Sequence, residues 1–195
     1  MADDLNNPTD DPLDLPTLEI PHMLRIEFSS LITINHQIGI EGITQIEQEE
    51  LSQIKDHDEK SSQRRFFDDL RIAANSLALV AVVARLDHWV MRFCDKLNLE
   101  PKKSNQKSRI VRKMESLNDK LGVGPVPLSF FADLVTARDS VVHGDSQSEW
   151  DFDGSKREVA AKYMNFYRLE VSEDQVTEAV EKTLEQLIWY EEKSP

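Results

Sequence analysis

Apolar residues recur along most of this chain at spacings of three and four, the period of helices packed on one side. From Met23 to Asn35 the set is Leu24, Phe28, Leu31 and Ile32. Gly39 and Gly42 punctuate the pattern. A second amphipathic stretch follows, with Ile43, Ile46, Leu51 and Ile54 toward a core and Glu47, Glu49 and Glu50 outward. Lys55–Ser62 reads as a charged connector or the frayed end of that helix. Arg64–Leu99 is the longest predicted helix. Phe66, Leu70, Ala73, Leu77, Val80, Ala84 and Val90 mark one side, and Leu79, Val82, Val83, Leu86 and Phe93 spread apolar surface round the rest. The valines suggest a strand, but a run this long without Gly or Pro decides for helix. A helix apolar nearly all round belongs at the centre of a bundle or in a subunit interface.

Past a polar, basic loop at Pro101–Lys107, the spacing predicts a helix over Ser108–Leu121, a Gly/Pro loop to Pro127, and a helix over Pro127–Val142. Gly144 sits where a left-handed residue would stop that helix. Asp145–Lys156 reads as a polar loop, and Val159–Val171 as a short strand or extended segment. Ser172 and Gln175 form a capping-box signature opening a last helix, Glu173–Glu192, whose apolar face carries Val176, Val180, Leu184, Leu187, Ile188 and Trp189. The fold class is all-α. Residues 1–21, rich in Asp, Asn and Pro, read as disordered or extended, because each proline opposes a settled helix. Residues 22–62 form an N-terminal helical extension, and 63–195 the main helical domain.

Composition agrees and adds limits. Six glycines in 195 residues favour helix, and one cysteine, Cys94, excludes an internal disulfide or a cysteine-cluster metal site. That cysteine usage fits a reducing cytosol, and Met1–Asp14 lacks the pattern of a secretory leader. The most apolar run, Leu77–Ala84, is too short to cross a bilayer, so no membrane partner is expected. A net charge of −13 opposes broad nucleic-acid binding. The charge is uneven, however. Lys102, Lys103, Lys107, Arg109, Arg112 and Lys113 follow one another without an acid, and such a strip can hold a short RNA segment. The ordinary reading is a solvated loop and helix start.

The informative segment is Leu134-Val-Thr-Ala-Arg-Asp-Ser-Val-Val-His-Gly144. Arg138 and His143 are five apart, so a straight helix points them about 140° from each other. They converge only if the helix unwinds at His143 or a second chain supplies a partner. Asp139 and His143 share a face, where the carboxylate can orient the imidazole. A histidine acts as general base or acid, and a forked guanidinium stabilises charge on a pentavalent phosphate. That set suits RNA cleavage by the neighbouring 2′-hydroxyl, without metal or cofactor, giving a 2′,3′-cyclic phosphate and a 5′-hydroxyl.

The spacing alone is weak, since Arg-x4-His arises by chance in many chains. Arg138-Asp139-Ser140-Val141-Val142-His143-Gly144 closing the third helix of four, after a long apolar helix and before an amphipathic one, resembles the HEPN superfamily over roughly residues 64–192. The resemblance implies an up-and-down four-helix bundle that dimerises, so that two motifs meet in a cleft and cut RNA. It assigns catalysis to Arg138 and His143, with Asp139 as the polar residue after the arginine. It also implies a toxin or defence effector, with an antitoxin protein as a possible partner. One departure stands out. A tyrosine two places after the histidine, modified in some such toxins, is here Asp145. Other members are inactive scaffolds, so a helical module binding a partner protein or nucleotide is the alternative. The ordinary reading of the motif is an arginine paired with an acid and a histidine ending a helix. Asp87 and His88 read as a satisfied polar pair, Asp56–Glu59 as a solvated charge run rather than metal ligands, and Cys94 as a buried inert thiol.

Overall fold

The structure, a computed structural model, describes residues 19–100, 108–143, 149–152, 155–159, 161–165 and 168–195. It is mostly helical. The elements are α1 (Ile20–Ile34), a π-helical segment (Asn35–Glu41), α2 (Gly42–Gln53), α3 (His57–Lys96), α4 (Arg109–Leu121), α5 (Leu128–His143) and α6 (Glu173–Lys193). Between α5 and α6 lie two short antiparallel hairpins, β1–β2 (Glu149–Phe152, Ser155–Glu158) and β3–β4 (Met164–Asn165, Arg168–Leu169).

α3 organises the rest. Leu79, Val82, Val83, Leu86, Val90 and Phe93 lie on its inward face, fully or nearly fully buried. Leu24 and Phe28 of α1, Met114 and Leu117 of α4, Phe131 and Leu134 of α5, and Leu187 and Tyr190 of α6 complete one core. The N-terminal helices thus share that core. Helix directions follow from the contacts. α1 runs against α3, because Asn35 bonds to Asn75 while Glu27 meets Arg85 and Trp89. α6 runs with α3, because its start shares a cavity with Arg71 and Asn75 while Tyr190 packs on Phe93. A simple up-and-down order would set α3 and α6 opposite, so the helix order departs from the expected alternation.

Several local expectations are corrected. Helix α3 starts at His57, so Lys55–Ser62 is largely helix and not a connector. Asp56 caps it, its Oδ1 accepting from the Asp58 and Glu59 backbone N–H groups. The charge run is therefore a helix start. Pro21 lies in the first turn of α1, where no N–H is needed, so residues 20–21 are helical. Residues 1–18 lie outside the described ones. Gly39 and Gly42 do not end a helix. The backbone continues through the π segment, and Gly39 sits so near α3 that a Cβ there would meet Ala74 Cβ at 3.1 Å. β1 and β2 occupy much of the expected Asp145–Lys156 loop, since a backbone ladder needs no apolar periodicity. The β3–β4 hairpin falls in the segment read as extended. The capping box of Ser172 and Gln175 is present at α6.

The π segment is tied to α6 by His36. Its Nδ1 lies 2.5 Å from Glu173 Oε1 and its Nε2 3.3 Å from Glu41 Oε1. The Glu173 contact raises the imidazole pKa above its ordinary 6.5, and Glu41 adds to it. A raised histidine pKa contributes stability that is complete below the ordinary value and is lost as pH rises through the raised one. NMR titration is expected to place His36 above 6.5, and Glu173→Gln to move it back toward that value. The stability difference between wild type and Glu173→Gln should shrink as pH rises from weakly acidic to alkaline. An unshifted His36 in both proteins would refute the clamp.

Candidate functional site

Helix α5 positions the motif. Phe131, Leu134, Val135 and Ala137 are buried against the core and fix its rotation. Thr136 and Ser140 are buried too, and the Thr136 hydroxyl donates to the Ala132 carbonyl at 2.8 Å. With that face inward, Arg138 and Asp139 fall at the margin of the core, while Val142 and His143 reach solvent.

Arg138 is 28% exposed, and its Nε lies 2.6 Å from Asp139 Oδ1. The N–H is not aligned on that oxygen and has no hydrogen-bond partner, although Nε itself is buried. The guanidinium is therefore held at the margin beside the Asp139 carboxylate. Burial pushes the Asp139 carboxyl above the usual carboxylate range, while the charges of Arg138 and His143 act the other way without cancelling it. Asp139 thus feels His143 one turn on, as the four-residue spacing predicts.

α5 stays helical through His143, its last residue. Unwinding before the histidine is absent, so the backbone sends Arg138 and His143 to different sides, about 140° apart. Gly144 and Asp145 lie outside the described residues. The motif is at a helix terminus with one member half-buried and one exposed, and a second surface is needed to bring both onto one phosphate.

The basic strip is only partly retained. Lys102, Lys103 and Lys107 lie outside the described residues. Arg109 is exposed at the start of α4, and Arg112 is partly buried with its Nε unsatisfied. Lys113 is not a surface cation. It is 3% exposed, and its Nζ donates to Asp87 Oδ1 at 3.0 Å. The reason is periodic, since Lys113 sits three after Ile110 and four before Leu117, both buried. Linear charge suggested a strip, and the helical period turns one member inward. Asp87, read as one of a polar pair with His88, is in fact the partner of Lys113 and is 42% exposed.

A second concavity was not legible in the sequence. A cavity of about 510 Å³ opens between the π segment, α3, β3 and the start of α6, with Arg71, Asn75, Lys162 and Glu173 on its wall. The motif residues do not line it. Its one sequence signal was Gly39, which lets the π segment approach Ala74 of α3. Among the described residues no three His, Cys, Asp or Glu side chains gather as metal ligands, and no helix is long and apolar enough to cross a membrane. Cys94 is buried, and burial pushes its thiol up to about 11.

Comparison with known proteins yields no matching family model, no similar curated protein and no similar solved structure.

The Lys113–Asp87 pair yields a prediction that separates structure from binding. Asp87→Ala strands a buried ammonium and is expected to cost about 2–3 kcal/mol, below the range for a fully buried pair because Asp87 is partly solvated. Lys113→Met replaces the cation by an apolar stem of similar length and should cost about 1 kcal/mol or less. Thermal melts of both variants check this. Equal melting temperatures for wild type and Asp87→Ala would refute it.

Proposed function

We propose that this chain is a metal-independent RNA endonuclease of HEPN type, acting in the cytosol as a toxin or defence effector. The carrying observation is the placement of Arg138-Asp139-Ser140-Val141-Val142-His143 at the solvent-reaching end of α5. The buried face of that helix fixes its rotation and holds the Arg138 guanidinium at the core margin, ion-paired with Asp139. His143 takes the proton from a ribose 2′-hydroxyl, whose oxygen attacks the adjacent phosphorus. Arg138 stabilises the added negative charge. The P–O5′ bond breaks, and the departing oxygen takes a proton from the imidazolium of a second motif copy or from water. The products are a 2′,3′-cyclic phosphate and a 5′-hydroxyl. Asp139, one turn before His143, orients the imidazole. Because one α5 helix directs Arg138 and His143 apart, two copies of the chain make the working site. Arg109 and Arg112, with Lys102, Lys103 and Lys107, draw the RNA backbone toward the dimer. An antitoxin protein covering that cleft would restrain it.

A second reading, a non-catalytic helical module for a partner protein or nucleotide, is favoured by one observation. Lys113 is removed from the cationic surface of a chain already at −13. Cleavage assays separate the two. The purified chain is expected to cut RNA with EDTA present. His143→Ala should lower the rate about 100-fold or more and Arg138→Ala by about 100–1000-fold, with circular dichroism unchanged. Both variants cutting like wild type would exclude this site. No cutting by wild type at any concentration, with a raised melting temperature on adding a partner, would favour the binding module.

A further inference from the structure

The cavity of about 510 Å³ between the π segment, α3, β3 and the start of α6 has a polar group on its wall that the fold itself leaves unused. Asn75 is 6% exposed, and its Oδ1 accepts from Asn35 Nδ2 at 2.9 Å. Its own Nδ2 donates to no acceptor among the described residues. Leaving a buried amide nitrogen without an acceptor is costly. That nitrogen is not one of the fully sealed atoms, so it opens onto the cavity that Asn75 lines.

The charged groups on the same wall are already matched. Arg71 pairs with Glu47 and Asp68, Lys162 with Glu178, and Glu173 with His36. Glu170 is engaged as well. The start of α6 does not turn the site toward anions, because Ser172 takes the Gln175 N–H and Glu173 and Asp174 put negative charge in the first turn. Each paired acid on the wall keeps a second oxygen, since Glu173 meets His36 through Oε1 and Asp68 meets Arg71 through Oδ1. The unspent capacity is thus for hydrogen bonds of both kinds rather than for an ion. Ile40, Ile72, Met164 and Val171 supply apolar surface between these groups. We propose that the cavity binds an uncharged molecule carrying an amide and an aliphatic group. The amide oxygen accepts from Asn75 Nδ2, and the amide N–H donates to the Glu173 or Asp68 carboxylate. The aliphatic group lies against the four apolar side chains. The volume falls within the range of roughly 300–1000 Å³ typical of small-molecule sites. The walls are also set in advance, which lowers the cost of binding. Asn35 ties the π segment to α3, His36 ties it to α6, and Gln175 Nε2 holds the Lys162 carbonyl.

The inference stands apart from the nuclease reading, because Arg138 and His143 do not line this cavity. NMR titration of the full chain with N-acetyl-leucine N′-methylamide is expected to shift the Asn75 side-chain amide and the Met164 methyl saturably. The anion N-acetyl-leucine and the cation leucinamide should each bind about 10-fold more weakly or worse, since both bring an unmatched charge into the cavity. Asn75→Asp keeps the oxygen that accepts from Asn35 and removes the donor, and should weaken the neutral probe about 10-fold or more. Ile72→Trp, half-buried on the wall, fills the space from the apolar side and should abolish binding while melting near wild type. Two variants acting from different walls guard against one that misfolds. No saturable shift at these groups up to the solubility limit of the probe would overturn the proposal. So would a neutral probe that binds both variants as it binds wild type, or charged forms that bind equally well.

Discussion

Everything in this fold leans on the inward side of one long helix. α3 presents buried aliphatic residues from Leu79 to Phe93, and α1, α4, α5 and α6 each place apolar side chains against them or against one another there. The rotation of α5 on that surface decides what its ends can do. With Leu134, Val135 and Ala137 committed to the core, Arg138 has to lie at the margin and His143 has to reach water. The placement of the motif's side chains is thus set by a packing choice made one to nine residues earlier. Catalysis, on the proposed reading, inherits both the strength of that choice and its limit, since one rigid helix cannot turn both groups the same way.

Charge is handled mostly within the chain. Lys113 is spent on Asp87, Arg71 on Glu47 and Asp68, Arg85 on Glu27, and Lys162 on Glu178. The exposed pairs among these, such as Lys162–Glu178, add little stability. Their larger effect is to lower the number of cations available to a polyanion. On the proposed reading, an acidic protein with several of its described cations paired would hold RNA weakly over any length, so affinity would come from a short engagement at the motif. That suits cleavage of accessible single-stranded positions better than tight sequestration.

Much of this was visible in the residues alone. The helical periods located α1 to α6, because alternation at three and four marks a one-sided helix wherever it falls. The Ser172–Gln175 cap was equally plain, because its two hydrogen bonds depend on local spacing. What the sequence hid were choices between equivalent faces. Leu77 and Leu79 are chemically identical, and only tertiary contacts show that one is outside and the other at the centre. Lys113 was hidden in the opposite way, a cation drawn inward by the phase of its helix. The hairpins of residues 149–169 were missed or only outlined because ladder pairing leaves no apolar signature in such short strands. The motif was legible as a spacing, while the divergence of Arg138 and His143 around α5 required the helix to be seen running unbroken to His143.

The widened turn at Asn35–Glu41 has a geometric consequence. In a uniform α-spiral Asn35 and Glu47 would sit roughly 120° apart around the axis, and only one of them would address α3. Both do, through Asn75 and Arg71. The wide turn swallows a single residue and resets the phase, leaving the two about 20° apart. The chain therefore carries one surplus residue here. Its removal would let the backbone tighten into an ordinary spiral with both anchors still aligned.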